Sequence, residues 1–145
     1  MLRTCVAACF AWVALTWQLP AHAADGCPRL PQGSELRWEQ RDVPGMVFCK
    51  ALSTIDGAEM FSVTLGASLP FRPVGSQQSG RGTVAGQRVR WYRGNDGFDP
   101  DAVLRETLLK LGRGREAHIV VRAHSEDALE QRMQLVETIG FDAGG

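Results

Sequence analysis

Three histidines, His22, His118 and His124, are the chain's candidate acid–base groups. A hydrolase would need one of them beside an activated nucleophile and an orienting group. Ser125 follows His124 directly, but there is no Gly-x-Ser-x-Gly elbow to present a serine. A capping role at the start of a following helix accounts better for Ser125. Zinc would need three or four ligands, and Glu116, His118, His124 and Glu126 form the only cluster of candidates. Their spacing fits no ligand motif. Asn95 to Asp101, with Glu106 at the twelfth position, has the outline of a calcium loop. Such a loop needs an oxygen ligand third and glycine sixth, where this chain has Gly97 and Pro100. A plain turn is expected there. No catalytic residue, metal or cofactor is assigned on these grounds. A small envelope hydrolase using His118 or His124 stands as the alternative to a non-catalytic role.

The positive charges offer a different chemistry. Lys and Arg against Asp and Glu number 4 and 6 over residues 24–71, 10 and 5 over 72–122, and 1 and 5 over 123–145. The centre is basic and the C-terminal segment acidic. Lys50 and Lys110 are the only lysines, and arginine suits bidentate binding of carboxylates and phosphates. Gly80-Arg81-Gly82 and Gly112-Arg113-Gly114-Arg115 lack the Gly-Lys-Ser/Thr of a phosphate loop and are expected as hairpin turns. Strand alternation is expected to place Arg88, Arg90, His118 and Arg122 on the sheet face away from a C-terminal helix. Such a face could bind an acidic protein or an anionic envelope component. The plainer reading is a solvated sheet face. No nucleic-acid partner is expected.

The elements that would position these residues are legible in outline. Leu36 to Arg41 alternates as a strand, Pro44-Gly45 marks a turn, and Met46 to Leu52 forms a second strand. Asp56-Gly57 signals a hairpin into a third strand from Met60 to Leu65. Residues 66–80 read as a loop. Thr83-Val84 and Arg88 to Arg93 form a hairpin about Ala85-Gly86-Gln87, with Val89 and Trp91 on one side and Arg88, Arg90 and Tyr92 on the other. Residues 94–100 form another loop. Residues 101–111 carry both a helical spacing (Leu104, Leu108, Leu111) and a strand reading. The alternating Ala117, Ile119, Val121 and Ala123 need a neighbour and favour a hairpin. Ser125 caps a helix with Glu126 and Asp127 at its positive end. Its apolar stripe is Leu129, Met133, Val136 and Ile139, with Gly140 as its stop. Hairpins followed by one amphipathic helix imply an α+β fold, an antiparallel sheet with the helix packed on one face.

The N-terminus sets the compartment. Arg3, the apolar run Val6 to Leu19, Pro20 and the small-x-small Ala21-His22-Ala23 read as a signal peptide over residues 1–23. The run is too short for a membrane span, so no transmembrane segment is expected after cleavage. Residues 24–145 would then form a single domain with an irregular lead-in over 24–34, periplasmic or secreted. Cleavage removes Cys5, Cys9 and His22. Cys27 and Cys49 remain and are expected to form a disulfide in an oxidising compartment.

The run Ala117-His118-Ile119-Val120-Val121-Arg122-Ala123-His124-Ser125, followed by a helix ending in Ile139-Gly140-Phe141, resembles the ending of PsbP-like domains. The layout of strands, central hairpin, strand and late helix is similar too, over about two thirds of the mature chain. The resemblance implies a small α/β sandwich and an accessory or binding role, and it carries over no functional residue. The expectation is a non-catalytic periplasmic or secreted binding protein, such as an envelope accessory subunit or an inhibitor of a secreted toxin.

Overall fold

The structure, a computed structural model, describes residues 26–141. The expected signal peptide and the first two residues of the lead-in lie outside the described residues. Seven strands precede one helix: β1 (Leu36–Val43), β2 (Met46–Ser53), β3 (Glu59–Gly66), β4 (Gln78–Val84), β5 (Gln87–Arg93), β6 (Val103–Gly112), β7 (Arg115–Ala123) and α1 (Glu126–Glu137). The strands form one sheet in the order β1-β2-β3-β7-β6-β5-β4, and every neighbouring pair is antiparallel. The fold is α+β. No described helix is long and apolar enough to cross a membrane.

The turns follow from their residues. Ala85 and Gly86 have φ of 50° and 76°, the pair of left-handed residues that a two-residue hairpin loop requires. Residues 103–111 of the ambiguous stretch resolve as strand within β6, because β7 needs a partner of its own period. Thr107 pairs with Ile119 and Leu109 with Ala117, which puts both on the buried side. Gly112, Arg113 and Gly114 all have positive φ and make the expected turn.

Gly80-Arg81-Gly82 departs from the expectation of a turn. It lies inside β4, where Arg81 pairs with Arg90 and Gly82 with Val89. Gly82 serves packing rather than turning. A Cβ on Gly82 would stand 2.8 Å from Trp91 Nε1, so only glycine lets the indole lie against this strand.

One buried cluster joins the elements. It takes Phe61, Val63 and Leu65 from β3, Trp91 from β5, Ala117, Ile119, Val121 and Ala123 from β7, and Leu129 and Val136 from α1, with Ile139 just beyond it. Ser125 caps α1 by accepting the Ala128 N–H at 3.2 Å. The most extensive contacts of α1 are with β7, and smaller ones reach β4, β3 and β6. The lead-in is tied down at three points. Cys27 and Cys49 are joined by a disulfide, with their Cα atoms 5.7 Å apart. Trp38 Nε1 donates to the Pro28 carbonyl at 2.6 Å. Arg29 and Gly140 exchange backbone hydrogen bonds of 2.7 and 2.9 Å.

The β4–β5 hairpin is attached to the rest of the sheet over a short ladder. Only Tyr92↔Glu106 and Arg93↔Arg105 pair β5 with β6. Where the ladder ends, the buried Thr107 hydroxyl donates to the Arg90 carbonyl at 2.7 Å. This satisfies a backbone acceptor that the parting strands would otherwise leave unpaired.

Candidate binding face

Strand register sets which side chains share the outer side of the sheet, opposite the buried cluster. His118 sits opposite Thr64 on one flank and Leu108 on the other, and Arg122 sits opposite Leu104. Arg88 and Arg90 alternate with the buried Val89 and Trp91 and so share this outer side with Tyr92. The four residues expected on one face therefore have the same sidedness, but their surroundings differ.

His118 is enclosed. Its Nε2 lies 2.8 Å from Glu106 Oε2, and both side chains are less than one-fifth exposed. The Phe71 ring stacks on the imidazole with centroids 4.3 Å apart and planes 6° from parallel. Phe71 also meets Tyr92 edge-on at 6.3 Å. The connection between β3 and β4 thus folds back over the outer side, fastened by Arg72, whose guanidinium donates to the Leu69 and Phe71 carbonyls. Arg122 is half-exposed and its Nε lies 2.7 Å from Asp96 Oδ2. His124 is exposed, with Nε2 2.8 Å from Asp99 Oδ2. That hydrogen bond holds the Asp99 carboxyl below its usual range against a smaller opposing effect of burial. Among the described residues no serine, threonine or cysteine is hydrogen-bonded to either imidazole. Glu106 and His118 supply an orienting group and a base but no partnered nucleophile.

Arg88 and Arg90 differ from both. They are exposed and, with Arg81, have no ion pair or side-chain hydrogen bond among the described residues. Arg81 is the direct cross-strand neighbour of Arg90, and Thr83 of Arg88. Gly82 and Val84 face the buried side, so Arg81 stands on the outer side beside Arg90. Directly opposed like charges destabilise a ladder, and among the described residues no carboxylate is paired with either. The face that remains available is therefore Arg81, Arg88 and Arg90 on the β4–β5 hairpin. Sequence reading missed Arg81 because its flanking glycines look like a turn. Extending the alternation back from Val84 through Gly82 would have found it. Glu106 and Phe71, which enclose His118, come from other elements and left no local signal.

No His/Cys/Asp/Glu group among the described residues could hold a metal ion. The molecule is thus a small disulfide-tied α+β domain with an uncompensated arginine cluster at one end of its sheet. Comparison with family models, with curated proteins and with solved structures found no match.

Proposed function

We propose that this is an exported, non-catalytic binding protein that engages an acidic protein partner through Arg81, Arg88 and Arg90. The observation that carries the proposal is the Arg81↔Arg90 pairing. Folding alone gains nothing from two arginines placed side by side, whereas a carboxylate-bearing partner would gain from both. The disulfide is compatible with export to an oxidising compartment. In this proposal α1 covers the buried side of the sheet and leaves the outer side to the partner, consistent with the burial of Leu129 and Val136. The resemblance of the sequence to PsbP-like domains, where it holds, implies an accessory role of this kind. The hydrolase alternative would rest on Glu106 and His118, and Phe71 lies over that imidazole.

Binding to immobilised poly-glutamate tests the proposal, with phosphatidylglycerol vesicles as the comparison for an anionic envelope lipid. The protein should bind poly-glutamate in a salt-sensitive manner. Arg81→Ala/Arg88→Ala/Arg90→Ala should weaken that binding several-fold and flatten its salt dependence. Unchanged affinity in the triple variant would overturn the reading. Selective binding to the vesicles would move the partner from protein to lipid.

A further inference from the structure

β4 is the last strand of the sheet, and one of its long sides meets no other strand. The register places the backbone groups along that side. Ala85 and Gly86 form a two-residue loop, so Val84 and Gln87 are its closing pair and bond to each other. Bonded and non-bonded pairs then alternate, which makes Thr83↔Arg88 and Arg81↔Arg90 the non-bonded ones. Their backbone N–H and C=O groups point away from the partner strand. The Arg90 carbonyl obeys this, because it is turned toward β6 and accepts from Thr107. Across the ladder, the N–H and C=O of Arg81 and Thr83 are turned outward, off the edge of the sheet. Among the described residues nothing bonds to them. The open stretch is bounded by the irregularity between Gln78 and Gly80 and by Ala85, whose N–H donates to the Glu137 carbonyl at 3.2 Å.

An open edge is a template for another strand, and the charge along it selects which one. A second copy paired edge to edge would bring its own Arg81 and Arg90 against these, like charge on like. A strand bearing carboxylates would meet Arg81 at the ordinary strand spacing of about 4.8 Å, with Arg88 and Arg90 one strand further on. The opposite edge of the sheet has no such bias. Arg37, Glu39 and Arg41 alternate in sign along the exposed side of β1. The inner side of β4 restricts the residues between the carboxylates. Glu137 Oε1 lies 3.8 Å from where a Cβ on Gly82 would stand, so a carboxylate there would meet a like charge.

We infer that the acidic partner binds as an added strand. An extended segment, with carboxylates at every second residue and uncharged residues between them, pairs with the outward backbone groups of Arg81 and Thr83. This rests on the proposed engagement of an acidic protein by Arg81, Arg88 and Arg90, and it adds the partner's conformation and the bonds that hold it.

Fluorescence anisotropy of the exported protein with a labelled peptide, Glu-Val-Glu-Val-Glu-Val-Glu, tests it. The peptide should bind, and the equally charged Glu-Glu-Glu-Glu-Val-Val-Val should bind several-fold more weakly, because only alternation puts every carboxylate on one side. Two further peptides carry N-methyl groups on the valine amides or on the glutamate amides, and each blocks one edge of the strand. One of them should bind at least about tenfold more weakly and the other like the parent, since a single edge faces β4. Thr83→Pro removes an outward N–H but no bond of the β4–β5 ladder, and it should also lose about tenfold, whereas Thr83→Val should bind normally. The methylated peptides decide with the unaltered protein should Thr83→Pro fail to fold. If the peptides bind through the three arginines but ignore order and methylation, or lose equally from both methylations, the added strand is wrong and the acidic partner stands. A folded Thr83→Pro that binds normally overturns the added strand in the same way. If no acidic peptide binds, or Arg81→Ala/Arg88→Ala/Arg90→Ala binds them all unchanged, both readings fail.

Discussion

The β6–β7 hairpin and the β4–β5 hairpin use the same kinds of residue to opposite ends. On β6 and β7 nearly every charge is answered. Glu106 meets His118, Lys110 meets Glu116, Arg105 meets Glu126 at 3.2 Å, and Arg122 meets Asp96. This hairpin is central and contributes much of the buried cluster. The less exposed member of each pair, Glu106 and His118, Glu116, Arg105 and Asp96, has its partner, as a charge withdrawn from water requires. The β4–β5 hairpin lies at the sheet's edge. Its inner side is held by Val84, Val89 and Trp91, and its outer arginines Arg81 and Arg90 stand opposite each other without a counter-charge among the described residues. Charges that a fold needs are paired inside it. Charges it tolerates unpaired at an edge are available to something else.

The comparison breaks first at Trp91. If this one buried indole holds the hairpin to the body, Trp91→Ala should cost about 3–5 kcal/mol, as a large truncation in a packed core does. Urea unfolding measures it. A loss below about 1 kcal/mol would mean that the short β5–β6 ladder holds the hairpin without the indole.

The disulfide comes next. Replacing Cys27 and Cys49 together by serine should lower stability by about 3 kcal/mol, the chain-entropy value for a loop of this length. The lead-in should then exchange its amide hydrogens faster than β7, since Arg29–Gly140 and Trp38–Pro28 would hold it alone. Equal protection of the lead-in with and without the disulfide would show that those hydrogen bonds suffice.

A smaller effect sharpens the contrast between the hairpins. Arg81→Ala/Arg88→Ala/Arg90→Ala should change stability by no more than roughly 0.5 kcal/mol, even as it weakens binding of an acidic partner. A large destabilisation would make the arginines structural and erase the difference drawn above.

The smallest effect is acidic. Lys110, by hydrogen bonding, holds the Glu116 carboxyl below its usual range, as His124 does for Asp99. Each depressed carboxyl contributes stability that is present above its unfolded value and lost as pH falls through its folded one. Stability should therefore decline below about pH 4, the ordinary carboxylate range. Asp99→Asn should make that decline shallower. A decline of unchanged steepness would show that the His124 contact is too solvent-screened to matter.

Much of this molecule is determined by the sequence alone. The period-2 alternation of Ala117, Ile119, Val121 and Ala123, the turn residues at 44–45, 56–57, 85–86 and 112–114, and Ser125 before an amphipathic stripe specify hairpins and a late helix. These signals are local, and backbone sterics read them without help. A single pair of remaining cysteines, on the expectation of cleavage, left only one disulfide to form. Tertiary structure alone decided the rest. It alone placed β7 between β3 and β6, and residues far apart in sequence meet there. Phe71 reaches His118 across 47 positions, and Glu106 reaches it across the 106–118 hairpin. Gly82 was misread because close approach to Trp91 and a tight turn both call for a missing Cβ, and only the packed partner shows which applies. The separation of His118 and Arg122 from Arg88 and Arg90 was likewise beyond alternation. Period-2 patterning gives a side chain its side of the sheet, but the neighbours that cover or neutralise it come from the whole fold.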